Sequence, residues 1–368
     1  MKNNKKPTDE NNTMFVSLRA IDEYLETNIV KPIEVSTPRG FVSWGKNNDF
    51  PDYLLDLRGN VSTLRALEDG LRDYIAGDGV EVNIPQFQEQ VNSKGQTLED
   101  ILGYISEDLA IYGGWALNIL RNRLGGIAEI YYLPFFNIRV SEDLKTIYYA
   151  TCWGKSFGRV KYMAYPAFDA DDPTQYNSIF YYKNSHGLNS YPEPVYSSAL
   201  LSCETEKLIN HFHLNSINNN FNGSYIINFN SGKPNQAQKE EIEDHFYDKY
   251  SGPENASRPV LCFNDSKDNE TTITKIDSED YGERYKTLSE RTKQELFTAF
   301  RAVPNLFGIM TETTGFSEQE FSESFKLFNR TMVMPIQKSI SRCFDKIFGK
   351  GWGRIKPFTI NFDKEEGE

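Results

Sequence analysis

The sequence predicts an α+β fold, and three patterns predict it. Two amphipathic helical stripes fall early, over 61–76 and 98–112. A run of short β-rich segments occupies 115–183. Helical periodicity then returns and ends in one long segment, 317–348, with Pro335 in its middle.

Residues 1–14 are polar and predict a disordered tail. The stretch FVSWGKNNDFPDYLLDL is a turn-rich lead into a short helix beginning near Pro51. In 61–76, Ser62 is placed to cap the helix. Leu64, Leu67, Leu71, Tyr74 and Ile75 form its buried stripe, and Gly77 ends it. Leu98, Ile101, Leu102, Ile105, Leu109 and Tyr112 form the stripe of the second helix, broken by Gly113-Gly114. WALNILRN and IAEIYYLP, joined by a turn at Gly125-Gly126, predict a hairpin. Further strands are expected at Ile138–Val140, 147–153, 160–165 and 179–183, around an acidic loop of Asp169, Asp171, Asp172 and Pro173.

Residues 196–221 predict a helix with Leu200, Leu201, Leu208, Ile209 and Phe212 on its buried side. A small α/β insert follows over 223–279: the strand SYIINF, a polar helix in GKPNQAQKEEIEDHFYDKYSG, and the strands RPVLCFND and TTITKI. The next helix, 280–302, has Asp280 and Glu283 as a capping box and Tyr281, Tyr285, Leu288, Leu296, Phe297 and Phe300 as its stripe. Pro304 ends it, and the loop NLFGIMTETTG leads to the last helix.

That helix would be capped by Ser317 and Glu320 and stopped by Gly349 and Gly351. Phe321, Phe325, Phe328, Met332, Ile336, Ile340, Phe344 and Phe348 share one face. At 1.5 Å per residue it spans roughly 48 Å. Pro335 lacks an amide hydrogen and its ring meets the carbonyl one turn back, which predicts a kink there.

The chain has 368 residues, enough for two or three domains. Its 39% hydrophobic and 14% aromatic content exclude global disorder. No apolar run approaches the ~18 residues of a membrane helix, and MKNNKKPTDENN lacks the apolar core of a secretory signal. Cys152, Cys203, Cys262 and Cys343 are scattered, as expected in a reducing cytoplasm. The net charge of −12 argues against tight, sequence-independent DNA binding, which needs a basic footprint. An acidic wall would instead let a duplex slide past.

Signals for catalysis or cofactors are weak. Gly154-Lys155-Ser156 has Tyr149 where a phosphate-binding loop requires its first glycine, so a turn is the better reading. His211 and His213 would share a side on a strand, but on a helix they do not face each other. Asp169, Asp171 and Asp172 lack the glycine and distal glutamate of a calcium loop. The aromatic pairs Tyr131/Tyr132, Phe135/Phe136, Tyr148/Tyr149 and Tyr181/Tyr182 sit in strand patterns and read as packing, with subunit interfaces next. No catalytic residue, metal or cofactor is expected.

Taken in order, several segments resemble the portal proteins of tailed bacteriophages, especially short portals of phages infecting Bacteroidetes-type hosts. WGKNNDFPDYLLDL followed by STLRALEDGLRDYIAGDGV is similar to the family's N-terminal helices. LAIYGGWALNILRN with IAEIYYLPFFNIRV resembles its β-rich wing segment, and YPEPVYSSALL the entry to its first stem helix. FTAFRAVPNLFGI followed by FSESFKLFNRTMVMPIQKSI carries the most diagnostic likeness.

The resemblance implies a portal-like architecture. Residues 15–195 would be an α/β wing, with the β-rich part at 115–183. Stem helices at 196–222 and 280–302 would flank a small α/β clip at 223–279. A tunnel loop at 303–316 would precede the Pro-kinked helix 317–349, and 350–368 would be a short tail with minimal or no crown. It further implies a homo-oligomeric ring of about twelve copies at one capsid vertex of the virion, assembled in the host cytoplasm. Double-stranded DNA would pass through without sequence specificity. The terminase large subunit, the major capsid or scaffold protein, and the head-tail adaptor would be its partners. Asn305, Gly308, Thr311, Thr313, Thr314 and Gly315 would form the loop near DNA, with the threonines as uncharged tips and the glycines as hinges. Glu240, Glu241, Glu243, Asp244 and Asp248 would give the clip a charged face for the motor and adaptor. Another virion connector, or a metal-dependent hydrolase built on the acidic and aromatic residues, stands as the alternative.

Overall fold

The computed structural model describes residues 32–153, 160–185, 189–218, 225–228, 272–275, 281–308 and 318–359. The chain divides into two compact units, Val30–Lys207 with Lys286–Glu368, and Leu208–Tyr285 with Met1–Ile29.

The larger unit opens with a two-stranded pair, β1 (Glu34–Ser36) and β2 (Val42–Trp44), which the turn-rich reading of this stretch missed. Helix α1 (Phe50–Asn60) has Pro51 in its first turn, where the missing amide costs nothing. Helix α2 (Ser62–Ala76) follows almost without a break. Ser62 does not cap it; Val61 holds that position without a side-chain bond, and Ser62 is the first helical residue. Gly77, at φ 63°, closes the helix as expected. After β3 (Val80–Val82) comes α3 (Leu98–Tyr112). Its capping box is Thr97 with Asp100, and Gly113 ends it in the left-handed conformation at φ 79°.

The predicted hairpin is present as β4 (Gly114–Arg121) and β5 (Ile127–Leu133). β4 also pairs with β9 (Asn177–Lys183), giving an antiparallel sheet of order β5-β4-β9. A second sheet joins β6 (Ile138–Val140), β7 (Thr146–Tyr149) and β8 (Met163–Pro166). The predicted strand 147–153 ends at Tyr149, and 160–165 begins only at Met163.

Helix α4 (Leu200–Asn218) follows a short 3-10 turn, Ser197–Ala199. The predicted stripe needs correction here. Leu201 is exposed, whereas Ser202, Cys203, Glu204 and Glu206 are buried. In the smaller unit, β10 (Tyr225–Asn228) and β11 (Thr272–Lys275) pair antiparallel. The predicted helix and the RPVLCFND strand of the insert lie outside the described residues, as do Asp280 and Ser317 of the two expected capping boxes. In α5 (Tyr281–Ala299) and the turn after it, Leu296, Phe297 and Phe300 are buried, but Leu288 of the expected stripe is exposed.

The last helical stretch runs as α6 (Glu318–Phe328), a π-helical turn (Asn329–Val333) and α7 (Met334–Phe348). The irregularity therefore sits just before Pro335, which is the second residue of α7. Its cause is legible in the spacing. From Phe328 to Phe348 the apolar residues recur every four positions, and steps of four drift around a 3.6-residue helix. A wider turn takes up part of that drift and keeps Phe328, Met332, Ile340 and Phe344 all buried. The Met334 amide donates to Asn329 O, five residues back.

Residues 350–359, the described part of the segment expected to be a tail, fold back. β12 (Gly353–Ile355) pairs with β3, and Trp352 is buried against Phe344, ring centroids 4.9 Å apart. Gly353 is required there, because a Cβ would overlap Glu81 O. The core centres on two tryptophans. Trp115 stacks on Phe180 at 5.2 Å and meets Phe344 edge-on at 6.2 Å. Trp44 stacks on Tyr191 at 4.6 Å.

Candidate functional site

Helix α2 is the frame on which the predicted loop is mounted. Val303 is extended, as a residue before proline should be. Pro304–Phe307 then forms a 3-10 turn, and Gly308, at φ 73°, supplies its left-handed end. Leu306 is buried, and its carbonyl accepts a hydrogen bond from the Tyr74 hydroxyl at 3.3 Å. Asn305 Nδ2 donates to Ser324 Oγ on α6 at 3.3 Å, tying the turn before the loop to the helix after it.

Around this anchor lies an aromatic cluster. The Tyr74 ring meets Phe358 at 5.2 Å, Phe328 at 5.4 Å, Phe325 at 5.9 Å and Phe307 at 6.1 Å. Phe307 lies directly over Gly70, where any Cβ would overlap the ring. A glycine inside a helix costs about 1 kcal/mol relative to alanine. Here that cost opens the slot that receives Phe307. Tyr74 was read from the sequence as part of the buried stripe, but Gly70 escaped it; the interior glycine of an otherwise strong helix is the signal that could have found it.

A second set of contacts around α2 is polar. Arg58 bridges Glu68 at 2.8 Å, Asp69 at 2.7 Å and Glu107 at 3.1 Å. Burial pushes the Glu68 carboxyl up to about 7, even with the Arg58 bond opposing it. Thr63 Oγ1 donates to Glu206 of α4 at 3.0 Å, and Lys207 pairs with Asp56 of α1 at 2.7 Å. Burial also raises Glu206. Asp108 of α3, fully buried, is raised well above the usual carboxylate range, with Tyr132 and the Phe135 amide as its partners. The base of α4 is therefore held to α1 and α2 through carboxylates.

Of the predicted site residues, Asn305 and Gly308 lie in the anchor and Pro335 in α7. Thr311, Thr313, Thr314, Gly315 and the clip residues Glu240, Glu241, Glu243, Asp244 and Asp248 lie outside the described residues, as does Gly154-Lys155-Ser156. His211 and His213 are on α4, and Phe212 packs on Tyr285 at 4.6 Å. Among the described residues no group of three or more His, Cys, Asp and Glu side chains could hold a metal ion. Among them, too, no helix is long and apolar enough to cross a membrane.

No family model matches the sequence, and no curated protein does. Solved structures do match. A chain of the virion of native gene transfer agent (GTA) particle superposes with a TM-score of 0.52 at 16% identity, over 90% of this chain and 87% of that one. A chain of the neck of native GTA particle, computed with C12 symmetry, gives 0.51 at 16% identity, over 90% and 87%. An HK97 family phage portal protein from Corynebacterium diphtheriae gives 0.52 at 12% identity, over 82% of this chain and 95% of that one. The fold is that of a phage portal protein, as the sequence resemblance implied.

Proposed function

We propose that this chain is the portal subunit of a tailed phage or a related particle. Copies would form a ring at one capsid vertex through which double-stranded DNA is packaged and ejected. The packaging motor and then a head-tail adaptor would dock on it. One observation carries the proposal: the portal fold extends over 82% of this chain and 95% of the portal protein it matches, so the likeness is not a shared fragment.

Two further features support it. Residues 208–285, the expected clip with the adjoining ends of the two helices, fall with residues 1–29 in a compact unit separate from the large one. The neck structure computed with C12 symmetry contains a chain of this fold, which agrees with about twelve copies per ring. In this reading α4 and α5 are the stem helices. The segment 303–316 is the loop that meets DNA, its first residues held by the Tyr74–Leu306 and Asn305–Ser324 bonds. Its three threonines would brush phosphates without holding them, in keeping with an acidic chain of net charge −12.

Immunogold labelling of virions with an antibody to this chain tests the assignment. One label cluster per particle, at the junction of head and tail, is expected. Label spread over the capsid shell, or absent from particles, would refute it.

A further inference from the structure

The β5-β4-β9 sheet of the large unit carries an apolar projection at one end and an apolar hollow at the other. The projection is the turn between β4 and β5. Leu124 at its tip is 95% exposed, and Tyr176, whose carbonyl accepts from the Arg121 amide, is 59% exposed. Pro173, also exposed, lies against Gly125. One exposed leucine is ordinary, but three apolar side chains around a single turn make a patch. The turn is also stiff. Asn122 Oδ1 accepts from the Leu124 amide at 2.9 Å and from the Gly126 amide at 3.0 Å. The Arg121 guanidinium donates to Gly125 O at 2.9 Å and to Asp169 O at 2.7 Å, which fastens the acidic loop to the turn. A tip held in this way loses little conformational freedom on docking.

The hollow, about 330 Å³, has room for one large apolar side chain. Leu109, Val195, Ala299, Met332 and Ile336 give it apolar walls. Tyr182 and Asn184 also line it. Tyr182 stands opposite Trp115, and the Asn184 amide donates to Gly113 O, so the hollow sits at the Gly114 end of β4. The turn sits beyond the other end, at Arg121. Seven steps of about 3.4 Å separate those ends by roughly 24 Å. Leu124 therefore cannot fill the hollow of its own copy.

The charges at the two ends are complementary. Arg301 lines the hollow. The Arg301 amide donates to Thr298 O at 3.0 Å and the Ala302 amide to Phe297 O at 2.9 Å, the paired bonds that end a helix on a left-handed residue. Glycine usually fills that position; here Arg301 adopts it, at φ 51°. Strain of this kind beside a hollow marks a position set by more than folding. Arg301 is exposed, and among the described residues it is in no ion pair. At the turn, Asp171 of the fastened loop is likewise exposed and in no ion pair. The turn's own exposed cation, Arg123, has a counterpart in the exposed Glu193, whose carbonyl accepts from Asn184 Nδ2 at 3.2 Å.

We propose that the β4–β5 turn of one copy inserts Leu124 into the hollow of the neighbouring copy, with Asp171 against Arg301 and Arg123 against Glu193. This deepens the ring reading and rests on it. Projection and hollow lie on different surfaces of the same subunit, so the contact is head-to-tail and repeats from copy to copy until a ring closes.

Photo-crosslinking in the full chain tests it. Benzoylphenylalanine is incorporated at position 124, and isotopically light and heavy copies are mixed before assembly. Mass spectrometry reads the linked peptides, and electron microscopy follows ring formation in parallel. The inference predicts links from position 124 to peptides covering 299–302 or 331–336, with mixed light–heavy pairs among them. Leu124→Asp should lower ring yield at least tenfold and leave the urea midpoint of the subunit unchanged, because the side chain is exposed. Asp171→Arg and Arg301→Asp should each lower ring yield at least threefold, and the double variant should recover it. Rings whose links from position 124 go elsewhere, to capsid protein or within one copy, would overturn the inference and leave the ring reading standing. So would undiminished rings in Leu124→Asp, or a double variant no better than the single ones. Failure of the unmodified chain to form rings, with capsid or scaffold protein supplied, would overturn both.

Discussion

Two sets of contacts made by α2 hold neighbouring segments by opposite means. Toward residues 303–308, α6 and Phe358 it presents Gly70 and Tyr74, and the contact is mainly aromatic. Toward the base of α4 it presents Thr63 and Glu68, and the contact is a buried network of carboxylates, hydroxyls and Arg58. Shape sets the first contact, and its strength should not depend on pH. Charge state sets the second, because Glu68 and Glu206 hold protons more tightly there than in water. In the portal reading, the rigid contact mounts the loop near DNA and the titratable one seats the first stem helix.

Each contact can be broken separately. Tyr74→Ala removes the ring at the centre of the aromatic cluster and should cost about 3–5 kcal/mol, the range for large aromatic deletions in a core. Denaturant unfolding reads this directly, and Tyr74→Phe should lose only about 1 kcal/mol with the Leu306 bond. Gly70→Ala is the more diagnostic change. Helix propensity alone would gain about 1 kcal/mol. Overlap with Phe307 should reverse the sign and leave a net loss of about 1–2 kcal/mol. A stabilised Gly70→Ala protein would show that Phe307 does not occupy that slot.

The polar contact is tested by pH. Folded Glu68 keeps its proton up to about 7, whereas the unfolded residue releases it near 4.5. The folded state therefore binds more protons between these values, and this contribution to stability is present below 4.5 and lost as pH rises through about 7. Glu68→Gln should flatten the decline between pH 5 and pH 8 in urea unfolding, while Gly70→Ala should leave its slope unchanged. An unchanged slope in Glu68→Gln would remove the proton from the account.

Much of this was legible in the sequence. The α2 and α3 stripes, the hairpin about Gly125-Gly126 and the apolar face of 321–348 all came from spacing, because burial enforces a period. Two kinds of feature did not. Leu201 was assigned to the buried side of α4 by its chemistry, but the buried residues there include Cys203 and Glu206, and Glu206 finds its partner Thr63 143 positions away in the chain. The 350–368 segment looked like a tail because β12 is three residues long and gains its partner, β3, only in three dimensions. Of the candidate site, the anchor residues Asn305 and Gly308 were named in advance. The slot at Gly70 that fixes them was not, since it depends on a ring 237 positions away in numbering.

Smaller effects on stability, with larger ones on function, are expected outside both contacts. Deleting 309–315 should leave ring assembly intact and reduce DNA retention in particles, measured as DNA per particle after a temperature challenge. Normal retention would sink the loop assignment. Reversing the charges at Glu240, Glu241 and Glu243 should weaken docking of the packaging motor in a pull-down without altering unfolding. Unchanged affinity would remove that role.

The most direct test of the central claim is electron microscopy of the purified, full-length chain, with particles classified end-on. The account predicts rings of about twelve subunits around a hole wide enough for a DNA duplex. Compact particles without a central hole, persisting when capsid or scaffold protein is supplied, would contradict it.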